Sequence, residues 1–280
     1  MSTAATAVVF PGQGSQTDAM RDHVAEVRPD LLEQAAHVVG EDPFPRANEG
    51  TNFAQPAIFC ASLAGWEAIG RPAAELMAGH SLGELAALVA AGALDEREGL
   101  ALVALRGRLM HEAGLRAGDG GMIAVLGAGA SEHAEEIADS SGLVVANDNS
   151  PQQVVISGSK ERLPDALARA KELGLRAMEL DVTGAFHSPM MASAVPEFER
   201  ALRDATFTAT DVTVVSAVTA QPFTDPRREL TDALTMPVRW RETMLTLREL
   251  GAERFVDVGP GRVLTGLAKR TLTDVELVNA

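Results

Sequence analysis

Short apolar runs alternate along the chain with glycine-containing turns and helical patterns. Apolar residues at 7–10, 76–78 and 255–258 predict strands, and each run passes into a turn that contains glycine. A helical pattern follows each turn, the last at 263–270. This succession of strand, turn and helix predicts an α/β fold.

A different rhythm occupies the middle of the chain. The pattern there predicts six elements, which are strands at 122–126, 143–147, 153–157 and 176–182 and helices at 132–139 and 160–173. Gly174 follows the second helix, where a helix-terminating glycine belongs. The order βαββαβ is the ferredoxin-like pattern. We therefore expect a small ferredoxin-like subdomain at 121–183, inserted into a larger α/β body made of residues 1–120 and 184–280.

Composition narrows the class of protein. The 280 residues, 46% of them hydrophobic, are enough for one large domain with an insert and a substantial core. Acidic residues outnumber basic ones, 39 to 24, so the net charge of −15 argues against nucleic acid or an anionic membrane as a partner. The single cysteine, Cys60, excludes a disulfide framework. Neither a secretory signal nor a long apolar stretch is visible, and we expect a cytoplasmic protein without a membrane span.

Residues 79–83 read Gly-His-Ser-Leu-Gly, the G-x-S-x-G form of a nucleophile elbow. The glycines permit a sharp turn between strand and helix, which projects the Ser81 hydroxyl into a cleft and turns the next N–H toward a developing oxyanion. The helix that follows at 85–91 is apolar nearly all round, which is typical of a buried helix. The alternative is a tight turn with a structural serine.

A serine nucleophile needs a base, and His187 is the best candidate among the six histidines. It follows a predicted strand and lies in the loop Gly-Ala-Phe-His-Ser-Pro, whose conformation is set by its glycine and proline. His80 adjoins Ser81, but adjacent side chains diverge on a sharp turn. Three further histidines fall in polar helical segments: His23, His37 and His133. The alternative for His187 is a loop histidine bonded to backbone.

Other catalytic arrangements fit poorly. An α/β-hydrolase triad usually ends with a histidine near the C-terminus, and no histidine follows Ser188. The signatures of class A β-lactamases are absent, and one cysteine without H-E-x-x-H gives no support to a zinc site. Residues 12–16, Gly-Gln-Gly-Ser-Gln, lack the features of a phosphate-binding loop, although such a loop can bring a backbone N–H to a reacting carbonyl.

Further motifs follow one another along the chain. They are VVFPGQGSQ (8–16), FAQPAIF (53–59), AGHSLGELAALVAAGAL (78–94), ALVALRGRLM (101–110), NSPQQVVISG (149–158), GAFHSPMM (184–191), PVRW (237–240) and VDVGPGRVLTGLAKR (256–270). Together they resemble the malonyl-CoA:acyl carrier protein transacylases and the acyltransferase domains of polyketide synthases. The resemblance covers essentially the whole chain. It implies an α/β-hydrolase-like large subdomain with an inserted ferredoxin-like small subdomain.

The resemblance also implies roles for individual residues. Ser81 would be the nucleophile and His187 the base, with the backbone N–H groups of Gln13 and Leu82 as the oxyanion hole. Arg106 is similar to the family arginine that grips the free carboxylate of a malonyl group, a role that suits the two parallel N–H donors of a guanidinium. From the residues alone, without this resemblance, a structural salt bridge on the helix at 101–112 is the favoured interpretation of Arg106.

Four more positions would contact the substrate by this resemblance: Gln55, Asn149, Phe186 and Ala233. Phe186 would crowd a branched α-carbon and so favour malonyl over methylmalonyl. Ala233 is a departure, because the family usually has glutamine there; its carbonyl could still orient the histidine, but a side-chain contact to the acyl group would be lost. His111 is a second departure, at a position where the family often has glutamine.

The implied reaction is a ping-pong transfer of a malonyl group from coenzyme A to the phosphopantetheine thiol of an acyl carrier protein. It requires no cofactor, since the coenzyme A thioester is itself a substrate, and we expect a monomer. A hydrolase of acyl thioesters, a transferase of another acyl group and a non-catalytic carrier-binding scaffold stay open as alternatives. The pathway, fatty acid or polyketide, is equally open.

Carrier proteins of this class are acidic, which predicts a basic docking surface. The candidates are Arg169, Lys171, Arg176, Arg262, Lys269 and Arg270. Scattered solubilising charge is the alternative interpretation of these residues.

Overall fold

Two β-sheets organise the chain in the computed structural model, which describes residues 5–280. The strands are β1 (Ala5–Phe10), β2 (Leu76–Gly79), β3 (Gly120–Leu126), β4 (Val144–Ser150), β5 (Gln153–Ser159), β6 (Arg176–Glu179), β7 (Thr213–Val215), β8 (Ala252–Asp257) and β9 (Glu276–Asn279). The larger sheet has the order β7-β2-β1-β8-β9 and is parallel throughout. The smaller sheet has the order β4-β5-β3-β6 and is antiparallel.

Helices occupy most of the connections between the strands. They are α1 (Met20–Val27), α2 (Pro29–Val39), α3 (Thr51–Ala68), α4 (Gly83–Ala90), α5 (Glu96–Ala117), α6 (Ala134–Ser141), α7 (Leu163–Glu172), α8 (Val195–Asp204), α9 (Pro226–Asp232), α10 (Trp240–Glu249) and α11 (Val263–Thr271). Short 3₁₀ turns lie at Phe44–Arg46, Lys160–Arg162 and Pro189–Ala194. Within the described part of the chain, no helix combines the length and hydrophobicity that crossing a membrane requires.

Both faces of the parallel sheet are covered, which explains why its central strand is a continuous apolar run. Along β1, Val8 and Phe10 face one core, which they share with residues of α3, α4 and α5. Ala7 and Val9 face the opposite core, which includes residues of α10 and α11. The predicted strands at 7–10, 76–78 and 255–258 are confirmed, each within a slightly shifted range.

The smaller sheet has the predicted βαββαβ order, with α6 and α7 packed over a core of their own. Several predicted edges were wrong by one to three residues, and the structure shows the cause for two of them. The helix expected from residue 160 starts with a 3₁₀ turn and becomes α-helical at Leu163, with proline in its first turn. The strand expected at 176–182 ends at Glu179, because the Val182 N–H turns back to the Leu180 carbonyl. The division at residues 120/121 and 183/184 stays a prediction.

Strand β4 of the small sheet contacts the segment at 238–241, which belongs to the large body. The Val238 N–H donates to the Ala146 carbonyl (2.8 Å), and the Asp148 N–H donates to the Val238 carbonyl (2.9 Å). Arg241 of α10 forms an ion pair with Asp148 at 2.7 Å. Val238, which belongs to the large body, therefore pairs with the edge strand β4 of the small sheet through one isolated backbone bridge.

Candidate active site

Ser81 lies in a strained turn between β2 and α4, at the carboxyl edge of the parallel sheet. Its φ is +53°, a left-handed conformation that costs a serine about 1 kcal/mol or more. The flanking glycines are required by close packing. A Cβ at Gly79 would lie 1.9 Å from the Gly83 carbonyl carbon, and one at Gly83 would lie 2.2 Å from the Phe10 carbonyl oxygen. The G-x-S-x-G spacing thus produces the sharp turn that the sequence predicts.

His187 reaches Ser81 from the other side of the cavity. The distance from Ser81 Oγ to His187 Nε2 is 2.8 Å, across a separation of 106 positions in sequence. The loop that carries His187 is fixed by Ser188, whose hydroxyl donates to the Ala185 carbonyl and accepts from the Met190 N–H. His187 also has a positive φ, +55°. Backbone strain at both residues is typical of functional sites.

The His187 imidazole is 5% exposed and remains neutral at physiological pH. Burial, and then the positive charge of Arg106, lower its pKa to about 3. The backbone carbonyls of Ala233 and Met236 act in the opposite direction and raise this pKa, although the buried Nδ1 makes no hydrogen bond of good geometry with either. The neutral ring can therefore accept the Ser81 proton through Nε2.

Arg106 of α5 points into the site without a carboxylate partner among residues 5–280. One nitrogen donates to Gln55 Oε1 at 2.8 Å, and another donates to Ser81 Oγ at 3.1 Å. The residue is 3% exposed, and burial lowers its pKa to about 10, so the guanidinium still carries its charge at neutral pH. The structural salt bridge considered for Arg106 is absent, and a buried, unpaired cation next to the serine is suited to binding an anionic group.

Gln55 fixes the orientation of Arg106. Its amide nitrogen donates to Thr51 Oγ1 at 2.8 Å and approaches Met110 Sδ at 3.4 Å, so its carbonyl oxygen is left for the guanidinium. Gln55 is itself buried on α3. This arrangement holds Arg106 in one rotamer before any ligand arrives.

Asn149 contacts the elbow rather than Ser81. Its Oδ1 lies 2.8 Å from His80 Nε2, and the His80 ring packs edge-on against Trp240, with centroids 5.5 Å apart. Burial lowers the pKa of His80, so this ring is neutral too. Asn149 thereby ties the small sheet to the residue before Ser81.

A cavity of about 480 Å³ contains this group of side chains. The segments around both sheets contribute to its wall. From the segments around the large sheet come Gln13, Gln55, Leu82, Arg106 and Phe186. From the segment that forms the small sheet come Met122, Asn147, Asn149, Val155 and Leu180. Leu82 is the N-cap of α4, so its N–H lies at the positive end of that helix.

The two positions at which this chain departs from the family, Ala233 and His111, do not line the cavity. Ala233 ends α9 and is buried behind the imidazole, with its carbonyl toward His187. The His111 ring packs near Gly50, whereas the α5 residues that line the cavity are Arg106 and Met110. The structure brings neither side chain into contact with the cavity.

Glu84 is a buried acid that the sequence interpretation passed over. It lies in the first turn of α4, is 1% exposed, and accepts a hydrogen bond from the Ala217 N–H at 2.8 Å. Burial raises its pKa to about 8. The available signal was an acidic residue at the start of an otherwise apolar, buried helix, since such a residue needs a polar partner.

These features define an α/β protein with a serine–histidine pair in a cavity at the carboxyl edge of its parallel sheet. The acyl transferase domain family matches residues 7–279, and the chain belongs to that family.

Relatives of known name agree with this assignment. The malonyl CoA-acyl carrier protein transacylase of a Synechocystis species is 38% identical over 98% of this chain and 96% of its own length. The polyketide biosynthesis protein ThaF of Burkholderia thailandensis is 39% identical over 95% of this chain, which spans only 24% of that longer protein. A malonyl-transacylase solved in complex with a type II polyketide synthase acyl carrier protein is 35% identical, with a TM-score of 0.89, over 99% of this chain and 96% of its own.

Proposed function

We propose that this chain transfers a malonyl group from coenzyme A to the thiol of an acyl carrier protein, by way of an ester on Ser81. The observation that carries the proposal is the contact of three side chains, in which Ser81 Oγ meets both His187 Nε2 and the Arg106 guanidinium. A serine–histidine pair alone would serve many acyl transfers. The unpaired arginine beside it selects an acyl group that carries a carboxylate, as a malonyl group does.

The steps follow from the geometry. His187 Nε2 takes the proton of Ser81 Oγ while the oxygen attacks the thioester carbonyl, and the N–H groups of Gln13 and Leu82 receive the negative charge that forms on the carbonyl oxygen. The carbon–sulfur bond then breaks, and the proton passes from His187 to the sulfur of coenzyme A. The carrier's thiol reverses these steps, giving its proton to His187 and taking the malonyl group from Ser81.

A carboxylate bound at Arg106 also raises the pKa of the catalytic base, His187. The charge of Arg106 is one cause of the low pKa of His187. When a malonyl carboxylate neutralises that charge, the imidazole becomes a stronger base, so the substrate that fits Arg106 also improves proton transfer. A substrate without a carboxylate leaves Arg106 unpaired in a dry site and leaves His187 weakly basic.

Substrate size and carrier docking extend the proposal. Phe186 forms part of the cavity wall and restricts the space for a branched α-carbon, and Asn149 holds the elbow through His80.

Of the basic residues considered for docking, Arg169 is already paired with Glu136 and Glu172. Arg262 is exposed beside Val263, at the cavity, and Lys269 and Arg270 lie on the same helix. We assign carrier docking to this surface, and we expect the enzyme to act as a monomer.

Intact-protein mass spectrometry tests the proposal. After mixing with malonyl-CoA, the protein should be heavier by one malonyl group, and the added mass should disappear when carrier protein is supplied. Ser81→Ala should show no added mass. An adduct that survives Ser81→Ala, or one that is released to water without loading the carrier, would refute the transferase.

A further inference from the structure

The Asn149 side chain reaches the elbow from a place where strand β4 is irregular. The pairing of β4 with β5 shifts by one residue between Asp148 and Ser150, so Asn149 is the extra residue of a β-bulge. A bulge turns a side chain out of the regular alternation of a strand, and bulges are common beside active sites. The buried Asn149 side chain there meets the His80 ring, which belongs to the large body.

A second bulge in β4 makes a similar contact. The pairing with β5 also shifts between Val145 and Asn147, which makes Ala146 the extra residue. The Ala146 carbonyl accepts a hydrogen bond from the Val238 N–H of the large body. Both irregular residues of β4 thus place a hydrogen-bond acceptor against the large body, and the one at Asn149 contacts the residue that precedes the nucleophile.

His80 connects the two backbone segments that carry the expected oxyanion donors. Its N–H donates to the Phe10 carbonyl at 2.9 Å, in the segment that leads to Gln13. Its carbonyl accepts from the Gly83 N–H at 3.0 Å, one residue after Leu82. The position of His80 therefore sets how the two donor segments lie relative to each other.

The His80 ring is held on three sides. A Cβ on Gly12 would lie 2.6 Å from the His80 carbonyl oxygen and 3.0 Å from its Nδ1, so the turn at Gly12 packs directly against this residue. Trp240 packs edge-on against the ring, and Asn149 Oδ1 lies 2.8 Å from Nε2. Because an amide oxygen only accepts hydrogen bonds, Nε2 of the neutral ring carries the proton, and the bare Nδ1 lies beside Gly12.

We propose that Asn149 is a positioning residue for the oxyanion hole, because it holds the His80 ring against the turn at Gly12 and thereby fixes the distance between the N–H groups of residues 13 and 82. The inference rests on the proposed function, in which these two groups receive the negative charge of the thioester carbonyl oxygen. Without the contact to Asn149, the ring is free to rotate, and the two donors no longer converge on one oxygen. The loss should affect the rate of acylation and not the binding of substrate, since the oxyanion forms only during the reaction.

Asn149→Leu tests this role, because leucine has the branched shape of asparagine but cannot accept a hydrogen bond from His80. After rapid mixing with malonyl-CoA, intact mass should show Ser81 acylated about 10–100-fold more slowly, part of the loss expected for removing a whole oxyanion donor. The Kd of malonyl-CoA, measured by calorimetry with Ser81→Ala added, should change by less than about twofold. An alkylboronic acid, which forms a tetrahedral adduct with Ser81, should bind more weakly by about the factor by which acylation slows. Gln152→Leu is the matched control, since it removes an exposed carboxamide from the turn between β4 and β5, and it should change none of these quantities.

A double variant shows whether Asn149 acts through His80. In a His80→Phe background, Asn149→Leu should slow acylation by less than about a further threefold, because the contact is already lost, whereas additive losses would overturn the inference. Unchanged acylation by folded Asn149→Leu, or a loss that appears only in the Kd, would overturn it as well and leave the transferase intact. An unmodified enzyme that forms no malonyl adduct would instead overturn the proposed function. If the Asn149 variant does not fold, ¹⁵N NMR of the His80 ring in the unmodified enzyme decides: a proton on Nε2 supports the contact, and a proton on Nδ1 overturns it.

Discussion

Replacing Arg106 by methionine should make the protein more stable and less selective. Burial lowers the pKa of Arg106 from 12.5 to about 10, and at about 1.4 kcal/mol per pH unit this corresponds to about 3 kcal/mol of destabilisation of the charged form. Methionine removes that cost but loses the hydrogen bonds to Gln55 and Ser81, which contribute about 1 kcal/mol each. We expect a net gain of about 1 kcal/mol at pH 7, or a Tm higher by about 2–4 °C.

Two measurements on the same variant check this reasoning. Thermal unfolding followed by circular dichroism gives the shift in Tm, and transfer to carrier protein from malonyl-CoA and acetyl-CoA gives the selectivity. Malonyl transfer should fall by about 100-fold or more, while acetyl transfer should change little. Arg108→Met is the matched control, because Arg108 lies on the same helix but is exposed and paired with Glu112 and Glu197. It should change stability by less than about 1 kcal/mol and leave selectivity intact.

A lower Tm for Arg106→Met together with unchanged selectivity would contradict this prediction. That result would mean that Arg106 stabilises the fold through partners in the unliganded enzyme and is not held in readiness for a substrate carboxylate.

Two further predictions concern His187 and the docking surface. The folded-state pKa of His187, about 3, lies below the ordinary 6.5, so its contribution to stability is present above pH 6.5 and is lost as pH falls toward 3. Between pH 4 and 6, the free energy of unfolding of the His187→Gln variant should therefore depend less steeply on pH than that of the unmodified protein, by up to about 1.4 kcal/mol per pH unit. Parallel curves for the two proteins would contradict the low pKa. Arg262→Glu should raise the KM for carrier protein about fivefold or more without changing that for malonyl-CoA, whereas Arg203→Glu, on the exposed face of α8, should change neither. A rise in both KM values would instead place coenzyme A at Arg262.

The sequence predicted the elements that depend on local pattern. The strand at 7–10 and the turn around Ser81 were identified because apolar runs and paired glycines are visible within a few residues. The ferredoxin-like order was found for the same reason. The edges at 160 and 182 were wrong because a 3₁₀ start and a turn back to Leu180 depend on individual hydrogen bonds, which hydrophobic periodicity does not encode.

The site could be predicted only in part, because it depends on contacts between segments that are distant in the sequence. His187 was selected by elimination, but its distance from Ser81 follows from how the loop at 184–189 packs. Glu84 was overlooked because its partner, the Ala217 N–H, is 133 positions away in sequence. The resemblance led us to expect the Ala233 carbonyl near the imidazole. Motif comparison alone could not show that the Ala233 side chain lies outside the cavity, since a motif gives a residue's place in the chain and not the direction its side chain takes.

The junction at β4 affects how this protein can be recombined with its relatives. Exchanging only the ferredoxin-like part for that of a homologue would remove Asp148 from Arg241 and separate Asn149 from His80. A functional chimera must therefore carry the segment around 236–241 along with the graft, or match both new surfaces to the host. Crossover points chosen from the chain's linear order alone would cut through the contacts that align the serine with its base.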